Sequence, residues 1–149
     1  MSVEHQYPVH VSWSKDRMGI LSSPDVDTTI TVATPPEFPK GMPNIWSPEH
    51  LFTAAVNSCL MTTFLSIAER ARLDFLAFDA HASGKLAMVD GKYMMTEVTL
   101  SPEVTIANES DRDKAMMVLH KAEENCLISY SIKSTIVFEP KVRVVATAL

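Results

Sequence analysis

Residues 7–13 and 27–34 alternate polar with β-branched or aromatic side chains, the period of a pleated surface buried on one face. Both are expected to be strands, with a turn over residues 14–19 between them. Pro35, Pro36, Pro39, Pro43 and Gly41 then interrupt residues 34–44 and predict a stiff, irregular loop. Beyond it the start signals of a helix are complete. Ser47 can cap the free amides, Pro48 suits the first helical position, and Glu49 complements the positive end of the dipole. No Gly or Pro follows before Gly84. Leu51, Ala55, Cys59, Thr63 and Ile67 fall on one face, but the other faces are nearly as apolar, so the helix is expected to be enclosed on most sides. Arg70 and Arg72 mark its exit to solvent.

Residues 79–89 and 92–106 alternate around Asp90-Gly91, a strong hairpin signal, and predict a long antiparallel ribbon. A second helix is expected next, with Ser110 and Asp113 in capping-box spacing and an apolar stripe through Ala115, Leu119, Ala122 and Cys126. Residues 134–145 predict a final strand. The order gives an α+β fold, a single domain over residues 1–149 with an antiparallel sheet wrapping a long central helix.

Composition narrows the function. At 149 residues and 46% hydrophobic, the chain can bury one core. Its net charge is −5 and its thirteen Lys and Arg are scattered singly, so no nucleic-acid partner is expected. Residues 51–68 carry no charge, which raises the question of a membrane span. Thr53, Asn57, Ser58, Thr62, Thr63 and Ser66 argue against one, because hydroxyls and amides this frequent are costly against lipid. With Glu4, His5 and Gln6 in place of a basic start and an apolar run, no signal peptide is read, and a cytoplasmic location is expected. Two cysteines without Cys-x-x-Cys spacing fit a reducing compartment. The five histidines lack metal-ligand spacing, and no glycine-rich phosphate loop occurs, so neither a metal nor a cofactor is expected.

A lone cysteine on an apolar helix face is more often a small hydrophobe than a nucleophile. Two cysteines, each on the inward stripe of its own helix, change the odds because both can converge in one core. Peroxide reduction needs a thiolate, and a free thiol with a pKa of about 8.5 is mostly protonated at neutral pH. Cys59 lies beyond the reach of the helix dipole, and no Lys or Arg stands between Leu51 and Ala68, so the expected stabiliser is a cation from a distant segment. Cys126 is expected near the C-terminal end of its helix, where partial negative charge disfavours a thiolate. The roles follow: Cys59 attacks and becomes a sulfenic acid, and Cys126 condenses with it to a disulfide that an external dithiol reduces.

The segment Ser47-Pro48-Glu49-His50-Leu51-Phe52, with Ala54-Ala55 and Asn57-Ser58-Cys59, resembles the Pro-Glu-x-Leu-x-x-Ala-x-x-x-Cys helix of the osmotically inducible protein C and organic hydroperoxide resistance family. Lys121-Ala122 to Cys126 with Ser129 is similar to that family's second cysteine segment. The resemblance implies an intertwined homodimer that reduces organic hydroperoxides with two cysteines, an arginine and a glutamate. By motif match these fall on Cys59, Cys126, Arg17 and Glu49. Arg17 would supply the missing cation, and Glu49 would hold its guanidinium in a bidentate pair. Glu49 precedes Cys59 by ten residues, about 15 Å of helix axis, so the expected route is a partner helix that brings Glu49 of one subunit to the Cys59 site of the other. Two departures stand out: Leu127 follows Cys126 where the family commonly has Pro, and Trp46 stands where it often has Asn. Hydrogen peroxide is a further expected substrate. Two other readings stay open, a non-catalytic dimeric module binding an apolar ligand and a hot-dog-like thioesterase.

Overall fold

The N-terminal alternation folds as three strands where the sequence pattern predicts two. In the computed structural model, which describes residues 2–145, β1 (His10–Lys15), β2 (Met18–Ser23) and β3 (Val26–Ala33) form an antiparallel meander in the order β1-β2-β3. The turn expected over 14–19 is only Asp16-Arg17, because Lys15 already pairs with Met18 and Asp16 adopts a positive φ of 48°. Met18-Gly19-Ile20-Leu21 does not alternate, so its strand leaves no period-two trace. The proline-rich segment forms no strand or helix, as expected. It closes on itself through the Met42 N–H donating to the Thr34 carbonyl at 2.9 Å, and the Ala33 N–H donates to Trp46 O at 2.9 Å.

Helix α1 (Pro48–Arg70) starts as the sequence predicts. The Ser47 hydroxyl accepts the His50 N–H at 3.1 Å, Pro48 opens the helix, and Glu49 lies in its first turn. It ends by a left-handed stop. Arg72 takes φ 55°, the Leu73 N–H donates to Ala68 O at 2.9 Å, and the Arg72 N–H donates to Glu69 O at 3.1 Å. Arg70 is therefore the last helical residue and Arg72 lies past it.

Contacts gather the chain into two compact units, one up to Leu51 and one from Phe52 onward. The second holds the larger core. Val56, Leu60, Phe64 and Ala68 repeat every four residues and are buried, together with Val98, Leu100, Val104 and Ile106 from a strand and Val118, Leu119 and Ala122 from a helix. Phe64 also meets Phe75 and Phe78 at ring-centroid distances of 5.2 and 4.8 Å. This stripe lies one residue beyond the face that the sequence pattern selects, and in the single chain Ala55, Ser58, Met61, Thr62, Leu65 and Ser66 are exposed. A helix nearly apolar all round carries little phase information, so pattern alone cannot say which face packs.

The hairpin β4 (Ala77–Val89) and β5 (Lys92–Ile106) turns at Asp90-Gly91, both at positive φ, 49° and 78°. At Gly84 the strand β4 comes against Thr53 of α1 so closely that no Cβ fits. After β5 come a short 3₁₀ turn (Glu109–Asp111), α2 (Arg112–Glu124) and α3 (Leu127–Tyr130), then β6 (Thr135–Phe138) and β7 (Lys141–Val144). Three expectations change here. The second helix begins after Asp111, with no side-chain cap from Ser110, and ends before Cys126. The last strand is two, split at Glu139-Pro140, since proline has no N–H to give a ladder. The sheet is not purely antiparallel: β5 pairs antiparallel with β4 but parallel with both β6 and β7, because α2 and α3 return the chain to run in the same direction. The architecture is mixed α+β.

Phe64 is fully buried among two aromatic rings, so Phe64→Ala is expected to cost about 3–5 kcal/mol in a urea unfolding titration with the slope unchanged.

Candidate active site at Cys59 and Cys126

Cys59 lies at the middle of helix α1, half-buried, and the chain after α2 turns back toward it. The turn has a local cause. Asn125 ends α2, its side-chain amide donating to Lys121 O at 2.8 Å and its backbone N–H to the same carbonyl at 3.1 Å. Cys126 leaves the helical conformation at φ −73°, ψ 106° and becomes the residue before α3. It is fully buried, and its thiol donates to the Val56 carbonyl of α1 at 3.9 Å. Both cysteines are free thiols, and each shifts the acidity of the other.

The first amides of any helix have no partner inside it. In α3 those of Leu127 and Ile128 turn to the Cys59 sulfur, and the Thr63 hydroxyl, one turn further along α1, lies 3.9 Å from it. Burial alone would raise the Cys59 thiol. The Ile128 amide, the Cys126 thiol, Thr63 and the Leu127 amide outweigh it, and together they hold the Cys59 pKa below the ordinary cysteine value. Cys126 goes the other way. Burial pushes it up, the Ser129 hydroxyl and amide pull it down, and the hydrogen bond and charge of Cys59 raise it again, for a net rise. The arrangement therefore makes Cys59 the more readily ionised of the two thiols.

Donors close to the sulfur already lower the Cys59 pKa within the single chain. One expectation about the site is corrected. Cys126 is not held protonated by the C-terminus of a helix, since α2 has already ended, and its rise begins with burial. The donors at Leu127 and Ile128 are backbone groups, invisible to a search for reactive side chains. The signal that could have found them is Asn125, a residue suited to ending a helix, immediately before Cys126.

The other two expected residues lie in the first unit. Arg17 is exposed at the tip of the β1–β2 hairpin, where its carbonyl accepts the Thr34 N–H at 3.2 Å and it borders a cavity of about 500 Å³ with Asp16, Lys40 and Met42. Glu49 is half-buried in the first turn of α1. Trp46, one of the departures noted above, is exposed and meets the His50 ring edge-on at 6.2 Å. Among the described residues no group of three or more His, Cys, Asp or Glu side chains is arranged to hold a metal ion.

No curated protein sequence matches the chain. Its fold matches several solved structures. An OsmC-like protein of unknown function from Vibrio cholerae superposes with a TM-score of 0.83 at 26% identity, covering 92% of this chain and 99% of that one. An organic hydroperoxide resistance protein OsmC from Legionella pneumophila gives 0.75 at 19% identity, over 96% and 100% of the two chains. The organic hydroperoxide resistance protein OhrB of Bacillus subtilis gives 0.65 at 20%, over 93% and 98%. The family model described as OsmC-like protein matches residues 41–141, a span that takes in all of α1 and runs past both cysteines. On that match, the chain belongs to the OsmC-like protein family.

Proposed function

We propose that this protein is a thiol peroxidase that reduces organic hydroperoxides, and hydrogen peroxide as a smaller substrate, through Cys59. The observation that carries the reading is the opposed tuning of two neighbouring thiols, Cys59 lowered and Cys126 raised. The names of the Legionella and Bacillus structures, organic hydroperoxide resistance proteins, support it.

The steps balance as follows. The Cys59 thiolate attacks the terminal peroxide oxygen, the oxygen–oxygen bond breaks, and the alkoxide takes a proton to leave as an alcohol. Cys59 is now a sulfenic acid. The Cys126 sulfur attacks it, its proton leaves with the hydroxyl as water, and a Cys59–Cys126 disulfide forms. An external dithiol supplies two electrons and two protons to restore both thiols. In this reading the Leu127 and Ile128 amides and the Thr63 hydroxyl hold the attacking sulfur ionised.

The working unit we propose is a homodimer. Exposed apolar side chains on β1 (Val11, Trp13) and on α1 (Met61, Leu65) support it, because such groups are covered at interfaces between subunits. In that assembly Glu49 anchors the Arg17 guanidinium, and the pair is brought to Cys59 across the subunit interface, adding a cation to the donors already present.

Two sets of measurements check the proposal. With cumene hydroperoxide and dithiothreitol, Cys59→Ser is expected to show no turnover, and Cys126→Ser to inactivate after about one turnover as its sulfenic acid over-oxidises. The pH profile of iodoacetamide alkylation at Cys59 should have its midpoint below the free-cysteine value of about 8.5, and Thr63→Val should move it upward. A midpoint at or above that value refutes the mechanism. For the assembly, sedimentation should give a dimer, and Arg17→Ala should slow peroxide turnover at least about tenfold while leaving the dimer intact. A fully active monomer refutes that part.

A further inference from the structure

Three hydroxyls on or next to the helices of this chain hydrogen-bond a carbonyl one turn back. Ser58 donates to Ala55 O at 3.3 Å, Thr62 to Cys59 O at 3.1 Å and Ser131 to Leu127 O at 2.7 Å. Ser129, inside α3, does not. Its oxygen is buried, and no described nitrogen or oxygen atom is its partner. A buried hydroxyl without a partner is costly, and in a native fold each one calls for a reason.

Its position supplies one. Cys126 is the residue before α3 and Ser129 is the third residue of that helix, the spacing at which a side chain reaches back over the open start of a helix. The Tyr130 N–H donates to Cys126 O at 3.1 Å and closes the turn with Ser129 inside it. The usual product of this spacing is a side-chain cap, and Cys126 makes no cap bond. The group that registers the hydroxyl is the Cys126 sulfur, whose pKa Ser129 pulls down while burial pushes it up. A thiol is a weak acceptor and leaves the hydroxyl unbonded, whereas a thiolate is a strong one.

We propose that Ser129 serves the condensation step, as a hydrogen-bond donor held in reserve beside Cys126 and used when that sulfur ionises to attack the sulfenic acid of Cys59. The inference rests on the peroxidase reading and deepens it by giving the second step a residue of its own. In that step Cys126 gives up its proton, its sulfur bonds to the Cys59 sulfur, and the sulfenic hydroxyl leaves with a proton as water. Ser129 keeps its own proton throughout. Its O–H turns to the developing negative charge and is released when that charge passes into the disulfide and water. Because the donor is in place before the charge forms, little has to reorganise at that moment. Ser129 is not among the groups that shift Cys59, so it bears on condensation and not on the first attack. Among the described residues the ionisable group that shifts Cys126 is Cys59, which carries no charge once it is a sulfenic acid.

The first measurement needs no turnover. Cys59→Ser leaves Cys126 as the single thiol, with an uncharged group where the oxidised sulfur would stand, and thiolate absorbance then titrates Cys126 alone. Adding Ser129→Ala should move the midpoint up by about one pH unit, and adding Ser129→Thr should leave it in place. With both cysteines present, one equivalent of cumene hydroperoxide separates the two steps. Ser129→Ala should consume the peroxide at the wild-type rate. At neutral pH its disulfide should form about threefold more slowly, because about tenfold less thiolate is partly offset by the greater nucleophilicity of the weaker acid. Above both midpoints the variant should condense at least as fast as the wild type, a crossover that a distorted site would not give. Since the hydroxyl has no partner at rest, Ser129→Ala should also keep or raise the urea unfolding midpoint. An unmoved Cys126 midpoint, a slowed first step, a defect that persists at alkaline pH or a loss of stability overturns the proposal. Failure of the wild type to turn over cumene hydroperoxide would sink the peroxidase reading instead, and the titration would still decide whether Ser129 acts on Cys126.

Discussion

The site depends on one contact, the unpaired amides at the start of α3 meeting a sulfur at the middle of α1. A helix interior is a poor place for a thiolate: its own amides are spent on its own carbonyls, and burial penalises the charge. Donors have to come from another element that has some to spare. The first turn of a helix always has, and breaking the chain between α2 and α3 at Asn125–Cys126 creates such a turn where a continuous helix would have consumed those amides. The same break sets the second thiol at the head of the new helix, so one departure from helical geometry supplies both the stabiliser and the partner of Cys59.

Holding that break in place is the work of the core. Val56, Leu60, Phe64 and Ala68 fix the rotation of α1 about its axis by packing into the second unit, and this rotation decides that Cys59 and Thr63, on the neighbouring stripe, stay only half-buried. On the other side, Ala115, Val118, Leu119 and Ala122 hold α2 in the same core, so that its end arrives beside α1. Cys126 is then buried by this packing, and burial is the largest cause of its raised pKa. Core packing and the separation of the two thiol acidities are therefore one effect at two levels.

Legibility in the sequence followed the strength of local chemistry. The Asp90-Gly91 hairpin and the Ser47-Pro48-Glu49 helix start were readable because each uses residue types that few other conformations favour. Both cysteines were readable as a pair, and their opposed acidities in direction. The buried face of α1 was not, since Leu51, Ala55 and Ile67 are no less apolar than Val56, Leu60 and Phe64, and selecting between them is a matter of tertiary packing. β2 was missed because Met18-Gly19-Ile20-Leu21 lacks alternation, and the parallel pairing of β6 and β7 because direction is set by the crossover through α2 and α3. Of the groups that lower the Cys59 pKa, Cys126 was legible, whereas the Leu127 and Ile128 amides are main-chain donors that composition does not advertise.

In the proposed cycle the same raised pKa that makes Cys126 a poor nucleophile at rest has a use. Cys126 is among the groups that lower the Cys59 pKa and so helps to keep that sulfur ionised. Once Cys59 has become a sulfenic acid, that negative charge is gone, and with it the hydrogen bond and the repulsion that hold Cys126 up. The Ser129 hydroxyl and amide, which pull the Cys126 pKa down, then act against burial alone. Oxidation of the first sulfur thus removes part of what restrains the second. Condensation follows attack because the sulfenic acid it consumes is made in the first step, and the loss of the Cys59 charge favours it.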